Sequence, residues 1–408
     1  MKILMVNKFL YPHGGSETYI FDLGRQLNRM GHDVEYFGMD SKDRIVGNHA
    51  NSYTGAMDFH STGLQKLVYP FKIIYSIEAR KKIRVVLDDF KPDVVHLNNI
   101  NFQITPSVID EIRKWEKQAS HKVKIVYTAH DAQWVCPNHL LMVPETKELC
   151  MRCREGKYIE CTKHRCIHNS KVKSVLGTIE AVFYKRRGTY RKVDTIICPS
   201  HFMKEVLTAN PAIADRLVVM HNYCSITSKQ IFEKKDYVLY FGRYSEEKGI
   251  GTLLQVCKNL PEVDFVFAGD GPLREEIEKL PNAKNLGFLY GEELYKVIGE
   301  AQFVVVPSIW YENCPFTVIE SQCLGTPVIG SRLGGIPELI EEGKTGELFE
   351  AGNVKQLEEL IYHMWNDKVR CQEYSKNCYG KELLTLLAYC EMIDNIYLSS
   401  RRYIKDEL

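Results

Sequence analysis

The stretch FVVVPSIWYENCPFTVIESQCLGTPVI, residues 303–329, places a polar loop and an apolar helical pattern between two short apolar runs. The runs Phe303 to Pro307 and Pro327 to Ile329 have the length and composition of buried strands. A helix is expected to begin at Pro315, because proline suits the first helical position. Since a strand–helix–strand order brings the two strands side by side in parallel, the stretch predicts one unit of a parallel α/β sheet.

The same alternation runs along the chain and restarts after a polar stretch near residues 225 to 236. At roughly 100–200 residues per domain, 408 residues exceed a single small module. We predict two Rossmann-like, doubly wound parallel-sheet domains facing across a cleft, at residues 1–226 and 227–388, with 389–408 as a C-terminal segment that can pack back on the first. The predicted strands are 3–6, 33–37, 94–97, 124–128, 195–198, 237–241, 264–268, 303–307 and 327–329, and the first helix is 17–30.

Charge and composition exclude several classes of protein. Lys and Arg number 53 against 52 Asp and Glu, so the net charge of +1 provides no global field that would attract nucleic acid. The N-terminal apolar run stops at Val6 and is followed by Asn7 and Lys8, as in a buried strand rather than a signal peptide. No run reaches the roughly 18 apolar residues that span a bilayer. We therefore expect a cytoplasmic protein whose thirteen cysteines are reduced.

Three glycine-bearing loops follow predicted strands, where parallel sheets bind ligands. In the first, Gly14 and Gly15 open a helix whose free N–H groups suit a phosphate, although a tight turn is the alternative. In the second, Arg243 and Lys248 are spaced so that two cations can straddle a diphosphate, although a solvated charged turn is the alternative. The third loop turns at Gly271.

Two carboxylates, Glu312 and Glu320, flank the turn that starts the helix after the strand at 303–307. A carboxylate accepts hydrogen bonds in pairs and so matches the vicinal diol of a ribose or a hexose. The alternative is that Glu312 is a helix-start acid favoured by the helix dipole and that Glu320 is a surface residue. Glu320 argues against that alternative, because it lies beside Val318 and Ile319, where an idle acid would be costly.

In order and spacing, these segments resemble the retaining family-4 glycosyltransferases of the GT-B fold, of the type that builds surface polysaccharides. The resemblance covers nearly the whole chain. It implies that the first domain binds the acceptor and the second the nucleotide sugar. It also implies that Arg243 and Lys248 bind the donor diphosphate, that Glu320 holds the ribose, and that Glu312 faces the transferred sugar as a catalytic residue. The remaining donor-site residues that it implies are Gly14, Gly15, Gly271, Asn313, Cys314, Pro315, Phe316 and Thr317, and the loop 334–338 completes the set of motifs.

The resemblance also implies a catalytic role for His130, which ends a predicted strand and would contact the transferred hexose; the alternative is a structural histidine. Many members of the family carry Gly-Phe-Gly after the first glutamate, whereas this chain has Asn313-Cys314-Pro315-Phe316, which leaves the identity of the donor open. The sequence has no plausible D-x-D motif. We therefore expect no catalytic metal, with cations and helix N-termini stabilising the departing nucleoside diphosphate.

One region, from Cys136 to about Ser170, shows no strand or helix pattern and contains five of the thirteen cysteines. Zinc takes four such ligands and can organise a segment that lacks its own core, so we predict a structural zinc site. The alternative is a set of reduced surface thiols. The candidate ligands, four of which would bind the metal, are Cys136, Cys150, Cys153, Cys161 and Cys166.

The next segment, between Lys147 and Lys192, contains thirteen Lys or Arg against four Glu. Within it, an apolar stripe on a basic helix can rest on an anionic membrane surface, although packing against a core is the alternative. The stripe consists of Val175, Leu176, Ile179, Val182 and Phe183.

The sequence therefore favours a metal-independent hexosyltransferase in the cytoplasm. Peripheral attachment to the inner face of a membrane is compatible with this location. Its donor would be a UDP- or GDP-sugar and its acceptor a glycan, including a lipid-linked one, in polysaccharide, lipopolysaccharide or capsule biosynthesis. A nucleotide-sugar epimerase on the same fold is the first alternative. The second is a zinc-bearing nucleic-acid-binding protein that uses the basic insertion, which the neutral remainder of the chain disfavours.

Overall fold

The computed structural model describes residues 1–55, 74–101, 103–226 and 230–399 and divides the chain into two compact units. The first unit comprises Met1–Met220 and the chain from Leu386 onward, and the second comprises His221–Thr385. The structure thus places the two divisions at 220 and 385, where the sequence analysis placed them at 226 and 388. Among the described residues, no helix is both long enough and apolar enough to cross a bilayer.

The first unit contains a six-stranded sheet in the order β2-β1-β3-β4-β7-β8, with every neighbouring pair parallel. Its strands are short and buried, as expected when helices cover both faces of a sheet. They are β1 Lys2–Val6, β2 Asp33–Phe37, β3 Val94–Leu97, β4 Lys124–Thr128, β7 Thr195–Cys198 and β8 Leu217–Val219. The helices of this unit are α1 Gly15–Arg29, α2 Ile77–Phe90, α3 Ser107–Ala119, α4 Ile159–Lys163, α5 Lys171–Arg187, α6 His201–Thr208 and α13 Leu386–Leu398, with 3-10 turns at Tyr190–Lys192 and Ala214–Arg216.

The second unit repeats the design with the strand order β11-β10-β9-β12-β13-β14, again entirely parallel. The two sheets confirm the predicted pair of Rossmann-like α/β domains. Its strands are β9 Val238–Arg243, β10 Phe265–Asp270, β11 Ala283–Asn285, β12 Phe303–Val306, β13 Val328–Ser331 and β14 Gly346–Phe349. Its helices are α7 Ile250–Asn259, α8 Arg274–Glu278, α9 Gly291–Glu300, α10 Phe316–Cys323, α11 Val354–Asn366 and α12 Lys368–Gly380, with 3-10 turns at Glu246–Lys248 and Ile336–Glu338.

Local chemistry sets the helix ends. Helix α5 begins after Ser170, whose Oγ accepts a hydrogen bond from the backbone N–H of Lys173, and it ends at Gly188 in the left-handed conformation. Helix α10 begins at Phe316, one residue later than expected, so Pro315 occupies the cap position and not the first helical position.

The cysteine-rich region differs from the expectation of no regular structure. A two-stranded antiparallel ribbon pairs β5 Met142–Val143 with β6 Glu148–Leu149, and α4 follows it. These elements are too short to give a pattern in the sequence. The prediction that every thiol is reduced is wrong for one pair, because Cys224 and Cys323 form a disulfide in the second unit, while the other eleven cysteines are free.

The last described helix, α13, completes the core of the first unit. The hydroxyl of Tyr389 is 2.9 Å from that of Tyr19 on α1, and the hydroxyl of Tyr397 is 2.7 Å from Nδ1 of His96 on β3. Burial lowers the pKa of His96 to about 3, with the nearby His130 acting in the same direction. Because the folded protein keeps His96 neutral, its contribution to stability is present above pH 6.5 and is lost as the pH falls towards 3.

Replacing Tyr397 by phenylalanine tests this docking. The variant leaves a buried imidazole nitrogen without its partner, which should lower the free energy of unfolding by about 1–3 kcal/mol. Urea denaturation at pH 7.5 measures the change. Tyr362→Phe, at a residue whose side chain is exposed on α11, is the matched control and should be neutral. Equal stability of the two variants would contradict the docking role of Tyr397.

Candidate active site

In the second unit, the loops that leave β9 and β10 pack backbone against backbone. Arg243 at the end of β9 is in register with Asp270 at the end of β10, so Gly271 lies beside the loop that carries Arg243. The φ angle of Gly271 is +156°, and a Cβ there would lie 2.6 Å from the carbonyl oxygen of Tyr244. Only glycine allows the two loops this approach, which explains the glycine turn seen in the sequence.

The next loop along this edge is tied to them by an ion pair between Lys248 and Glu312. Nζ of Lys248 is 2.6 Å from Oε1 of Glu312. The same oxygen accepts hydrogen bonds from Ser308 Oγ at 2.7 Å and Trp310 Nε1 at 3.0 Å. Gly249 makes the arrangement possible, because its φ is +75° and a Cβ there would lie 1.8 Å from the carbonyl oxygen of Pro307.

The carboxyl of Glu312 is held in its ionised form. Burial raises its pKa, but the charge of Lys248 and the hydrogen bonds from Lys248, Ser308 and Trp310 outweigh burial, so the pKa lies below its usual value of 4.5. The site therefore contains a fixed carboxylate next to an ammonium group over the ring of Trp310. Such a pair can accept a hydrogen bond from a sugar hydroxyl and donate one to an anion.

Arg243 adds a second cation to the same loop as Lys248. Its side chain is 55% exposed, and its guanidinium lies 4.0 Å from the carboxylate of Glu247. Ser245, between the two cations, buries a hydroxyl that has no hydrogen-bond partner in the described part of the chain. An unpaired buried hydroxyl is costly, so the loop offers both charge and an unused polar atom to a ligand.

The residues that follow Glu312 have divided roles. Cys314 is buried in the apolar core of the unit, and Asn222 donates its amide N–H to the carbonyl oxygen of Cys314 at 2.7 Å. Phe316 packs edge-on against Tyr223 at 5.5 Å between ring centroids. Cys314 is therefore available to a ligand through its backbone alone. Asn313, Pro315, Phe316, Thr317 and Glu320 are partly buried, and Glu320 lies in the second turn of α10.

In the first unit, the glycine loop is braced by a buried carboxylate. Gly14 caps α1 in an extended conformation, and Gly15 is the first residue of the helix. Glu17, in the first turn, is 2% exposed and accepts a hydrogen bond from Asn7 Nδ2 at 2.8 Å. A negative charge at a helix N-terminus is favourable, and the hydrogen bond from Asn7 to Glu17 fixes the start of the helix beside the loop.

His130 follows β4 and is held neutral. Nε2 of His130 lies 2.9 Å from Oδ1 of Asn98, and its ring packs edge-on against Tyr19 at 5.0 Å. Burial lowers the pKa of His130 to about 4, although the adjacent Asp131 opposes the shift. A neutral imidazole donates one hydrogen bond and accepts one, so His130 can orient a hydroxyl without adding charge.

Three residues near His130 were not predicted: Asp131, His139 and Glu180. Nδ1 of His139 lies 3.5 Å from Oδ2 of Asp131, and this carboxylate raises the pKa of His139 against the opposing effect of burial. Burial raises the pKa of Glu180 on α5 to about 7, and His139 opposes that shift. Glu180 sits among apolar residues of α5, the same signal that singled out Glu320. No sequence signal places His139 next to Asp131.

Solved structures share this fold. Sucrose-phosphate synthase from Thermosynechococcus elongatus superimposes with a TM-score of 0.69 at 15% identity, over 97% of this chain and 98% of that one. HepE from Anabaena in complex with UDP-glucose superimposes with a TM-score of 0.65 at 17% identity, over 97% and 99%. Together with the two six-stranded parallel sheets, these likenesses define a GT-B fold.

The family follows from the sequence. Residues 13–225 match the family described as Glycosyltransferase Family 4, and residues 225–381 match Glycosyl transferases group 1. The chain belongs to glycosyltransferase family 4. Sulfoquinovosyl transferase SQD2 of Arabidopsis thaliana is 36% identical over 33% of this chain and 28% of its own length. A 42.6 kDa protein in the cps region of Klebsiella pneumoniae is 22% identical over 83% of this chain and 87% of its own. The match with SQD2 thus spans less than a third of that relative.

Replacing Lys248 by methionine tests the ion pair. The variant leaves the Glu312 carboxylate without its cation and should lower the free energy of unfolding by about 1–3 kcal/mol at pH 7, a range reduced because Lys248 is partly exposed. The pair stabilises the protein above pH 4.5, and this stabilisation is lost as the pH falls through the lowered pKa of Glu312.

Thermal denaturation from pH 3 to pH 8 should therefore show a difference between wild type and variant that shrinks in acid. Lys279→Met removes an exposed cation that pairs with Glu276 and is the matched control. A difference that stays constant across the pH range would argue against the pairing.

Proposed function

We propose that the protein is a retaining glycosyltransferase that moves a hexose or a related sugar from a nucleoside diphosphate donor to a glycan acceptor. The observation that carries the proposal is the loop edge of the second unit, where Lys248 pairs with the ionised Glu312 and Arg243 lies at the start of the loop that carries Lys248. Two cations suit a diphosphate, and a fixed carboxylate suits a sugar diol. The family supports the reaction class, and the solved complexes of HepE with UDP and UDP-glucose support a uridine donor among the UDP and GDP candidates.

Each side chain has a distinct task in this proposal. Arg243 and Lys248 neutralise the diphosphate, Ser245 Oγ donates to a phosphate oxygen, and Glu320 accepts from the ribose hydroxyls. Lys248 also fixes Glu312 towards the transferred sugar. His130, kept neutral, orients a hexose hydroxyl. These tasks hold and orient the donor, which supplies much of the rate acceleration in group transfer.

The chemical step breaks the bond between the anomeric carbon and the diphosphate oxygen and forms a bond from that carbon to an acceptor hydroxyl oxygen. The acceptor proton passes to the departing phosphate on the same face, which retains the configuration. The charge that develops on the nucleoside diphosphate is stabilised by Arg243 and Lys248, so the proposal needs no catalytic metal.

Donor binding is the direct test. Calorimetry with UDP-, GDP- and ADP-sugars in the absence of added Mg²⁺ should show one donor class binding to the wild type. Arg243→Ala, Lys248→Ala and Glu320→Ala should each weaken binding by roughly 10–100-fold, because each removes a charge-assisted hydrogen bond. Lys258→Ala, an exposed lysine at the end of α7, should bind normally. If no donor binds at millimolar concentration, the proposal is wrong.

Product analysis then separates the transferase from an epimerase. A transferase consumes the donor when a glycan acceptor is present and gives a glycoside. An epimerase converts the donor into its isomer without an acceptor. NMR of the anomeric proton in the glycoside reports whether configuration is retained.

We further propose that the acceptor is lipid-linked and that the first unit touches an anionic membrane. Two residues of the apolar stripe predicted on α5 are exposed, Ile179 at 47% and Val175 at 36%, and Val172 on the same helix is 72% exposed. The other three residues of the stripe, Leu176, Val182 and Phe183, are partly buried. Lys171, Lys173 and the Lys185–Arg187 run surround them on the same helix. Exposed aliphatic side chains flanked by cations suit a negatively charged lipid surface.

The relative in a cps region fits a surface acceptor. A human phosphatidylinositol N-acetylglucosaminyltransferase chain, which is 21% identical over 83% of this chain and 64% of its own length, fits a lipid-linked one.

Vesicle binding tests this surface. The protein should sediment with phosphatidylglycerol vesicles at low salt and much less with phosphatidylcholine vesicles. The double variant Val172→Ser, Ile179→Ser should bind about tenfold or more weakly, because it removes two aliphatic side chains from the contact. Val369→Ser, at a residue 77% exposed on α12, is the control and should bind like wild type. Equal sedimentation of all three proteins would rule out the α5 surface.

A further inference from the structure

Five cysteines of the first unit converge on one small cavity. The cavity measures about 10 Å³ and is lined by all five thiols of the region 136–166 together with Asn138, Leu141, Met142 and Glu160. This is about the space of one small bound species. Four of the five residues are buried, Cys150 is partly buried, and all are free thiols.

The cysteines reach the cavity from separate short segments. Cys150 follows the ribbon strand β6, and Cys153 lies in a turn that is closed by the N–H of Gly156 on the carbonyl of Cys153 at 2.8 Å. Cys161 lies on α4, and the N–H of Cys166 donates to its carbonyl oxygen at 3.0 Å. Cys161 and Cys166 both line the cavity. A chain separation of thirty residues is thus reduced to one cavity. No three of the five sulfur atoms lie within 4.8 Å of one another, so a bound ion would have to draw its ligands together.

Hydrogen bonds to Ser174 and Thr178 fasten this region to α5, but the region has only a small core of its own. Its apolar cluster contains three of the cysteines and just two further fully buried side chains, Val143 and Tyr158. The ribbon strands have two residues each and α4 has five. Several of its non-glycine residues adopt a positive φ, among them His139, Leu141 and Arg165, which costs conformational energy. A segment of this kind needs a cross-link to keep one conformation, and a metal ion supplies one.

The surroundings match the charge of a metal–thiolate centre. Four thiolates around Zn²⁺ carry a net charge of −2, and the guanidinium of Arg152 lies 3.5 Å from the sulfur of Cys150. The segment from Lys147 to Lys192 has thirteen basic residues against four Glu. The pair Cys150-x2-Cys153 has the spacing with which structural zinc sites begin.

We propose that four of these five cysteines, as thiolates, bind one structural Zn²⁺. Binding releases the protons of the four ligand thiols and involves no change of oxidation state. The site goes beyond the proposed transferase activity, because its evidence lies in the cysteine-rich region alone.

The centre would also support the surroundings of His130. Asn138 donates from Nδ2 to the carbonyl oxygens of Met142 at 2.6 Å and Cys166 at 3.3 Å, so its loop is fastened to the cysteine-rich region. The next residue is His139, whose imidazole faces Asp131. Loss of the metal should therefore loosen the loop that carries His139 without removing any group that touches the donor.

Metal analysis of the purified full-length chain is the first experiment. We expect about one zinc per chain after removal of loosely bound metal, and release of that zinc when a mercurial reagent blocks the thiols. Reconstitution with Co²⁺ should give the intense visible absorption of tetrahedral cobalt–thiolate coordination. A chain that contains no zinc and gives no such absorption with Co²⁺ would overturn the proposal.

Five single Cys→Ser variants identify the ligands. Four of them should lose zinc, the fifth should keep it, and Cys198→Ser, at a buried cysteine of β7, should keep it as the control. Retention of full zinc by all five variants would exclude the site. If a ligand variant does not fold, the Co²⁺ spectrum of the wild-type chain still decides. Because metal content is measured without any sugar donor, its outcome is independent of whether the protein is a glycosyltransferase.

Discussion

All neighbouring strands in both six-stranded sheets are parallel, and the candidate site depends on this constraint. A parallel strand cannot return through a hairpin, so each connection passes over a face of the sheet and every strand ends at the same edge. In the second unit, this brings the loops after β9, β10 and β12 together. The loops that carry Arg243, Gly271 and Glu312 are far apart in the chain, yet they leave one edge of the sheet side by side because β9 pairs with both β10 and β12.

Much of this fold could be predicted because the central strands are short, continuous apolar runs. The bounds expected for 33–37, 94–97, 124–128 and 195–198 agree with the structure. The edge strands β8, β11 and β14 were not predicted. Strand β11, Ala283–Asn285, is partly exposed and contains polar residues. Strand β8 has only three residues, and β14, although buried, has four that include Gly346 and Glu347, so none of the three shows the apolar run that identifies a buried strand.

The site was predicted as a set of residues, but its contacts were not. Arg243, Lys248, Glu312 and Glu320 were singled out by spacing and by the cost of an acid among apolar residues. The ion pair of Lys248 with Glu312 depends on how closely Gly249 approaches Pro307. That approach is a tertiary contact, which no sequence motif shows. His139 is a similar case, since its position is fixed by a loop with positive φ angles that has no periodic pattern. Sequence motifs thus identify which side chains carry the chemistry, whereas tertiary packing determines which side chains they contact.

The return of α13 to the first unit has a consequence for synthesis. Tyr389 and Tyr397 are translated after the whole of the second unit, yet their hydroxyls satisfy Tyr19 and His96 in the core of the first. Domains generally fold in the order in which they leave the ribosome. Until the last helix is made, Tyr19 on α1 and His96 on β3 lack these two partners. The first unit is therefore expected to complete its core only after the second unit has been translated.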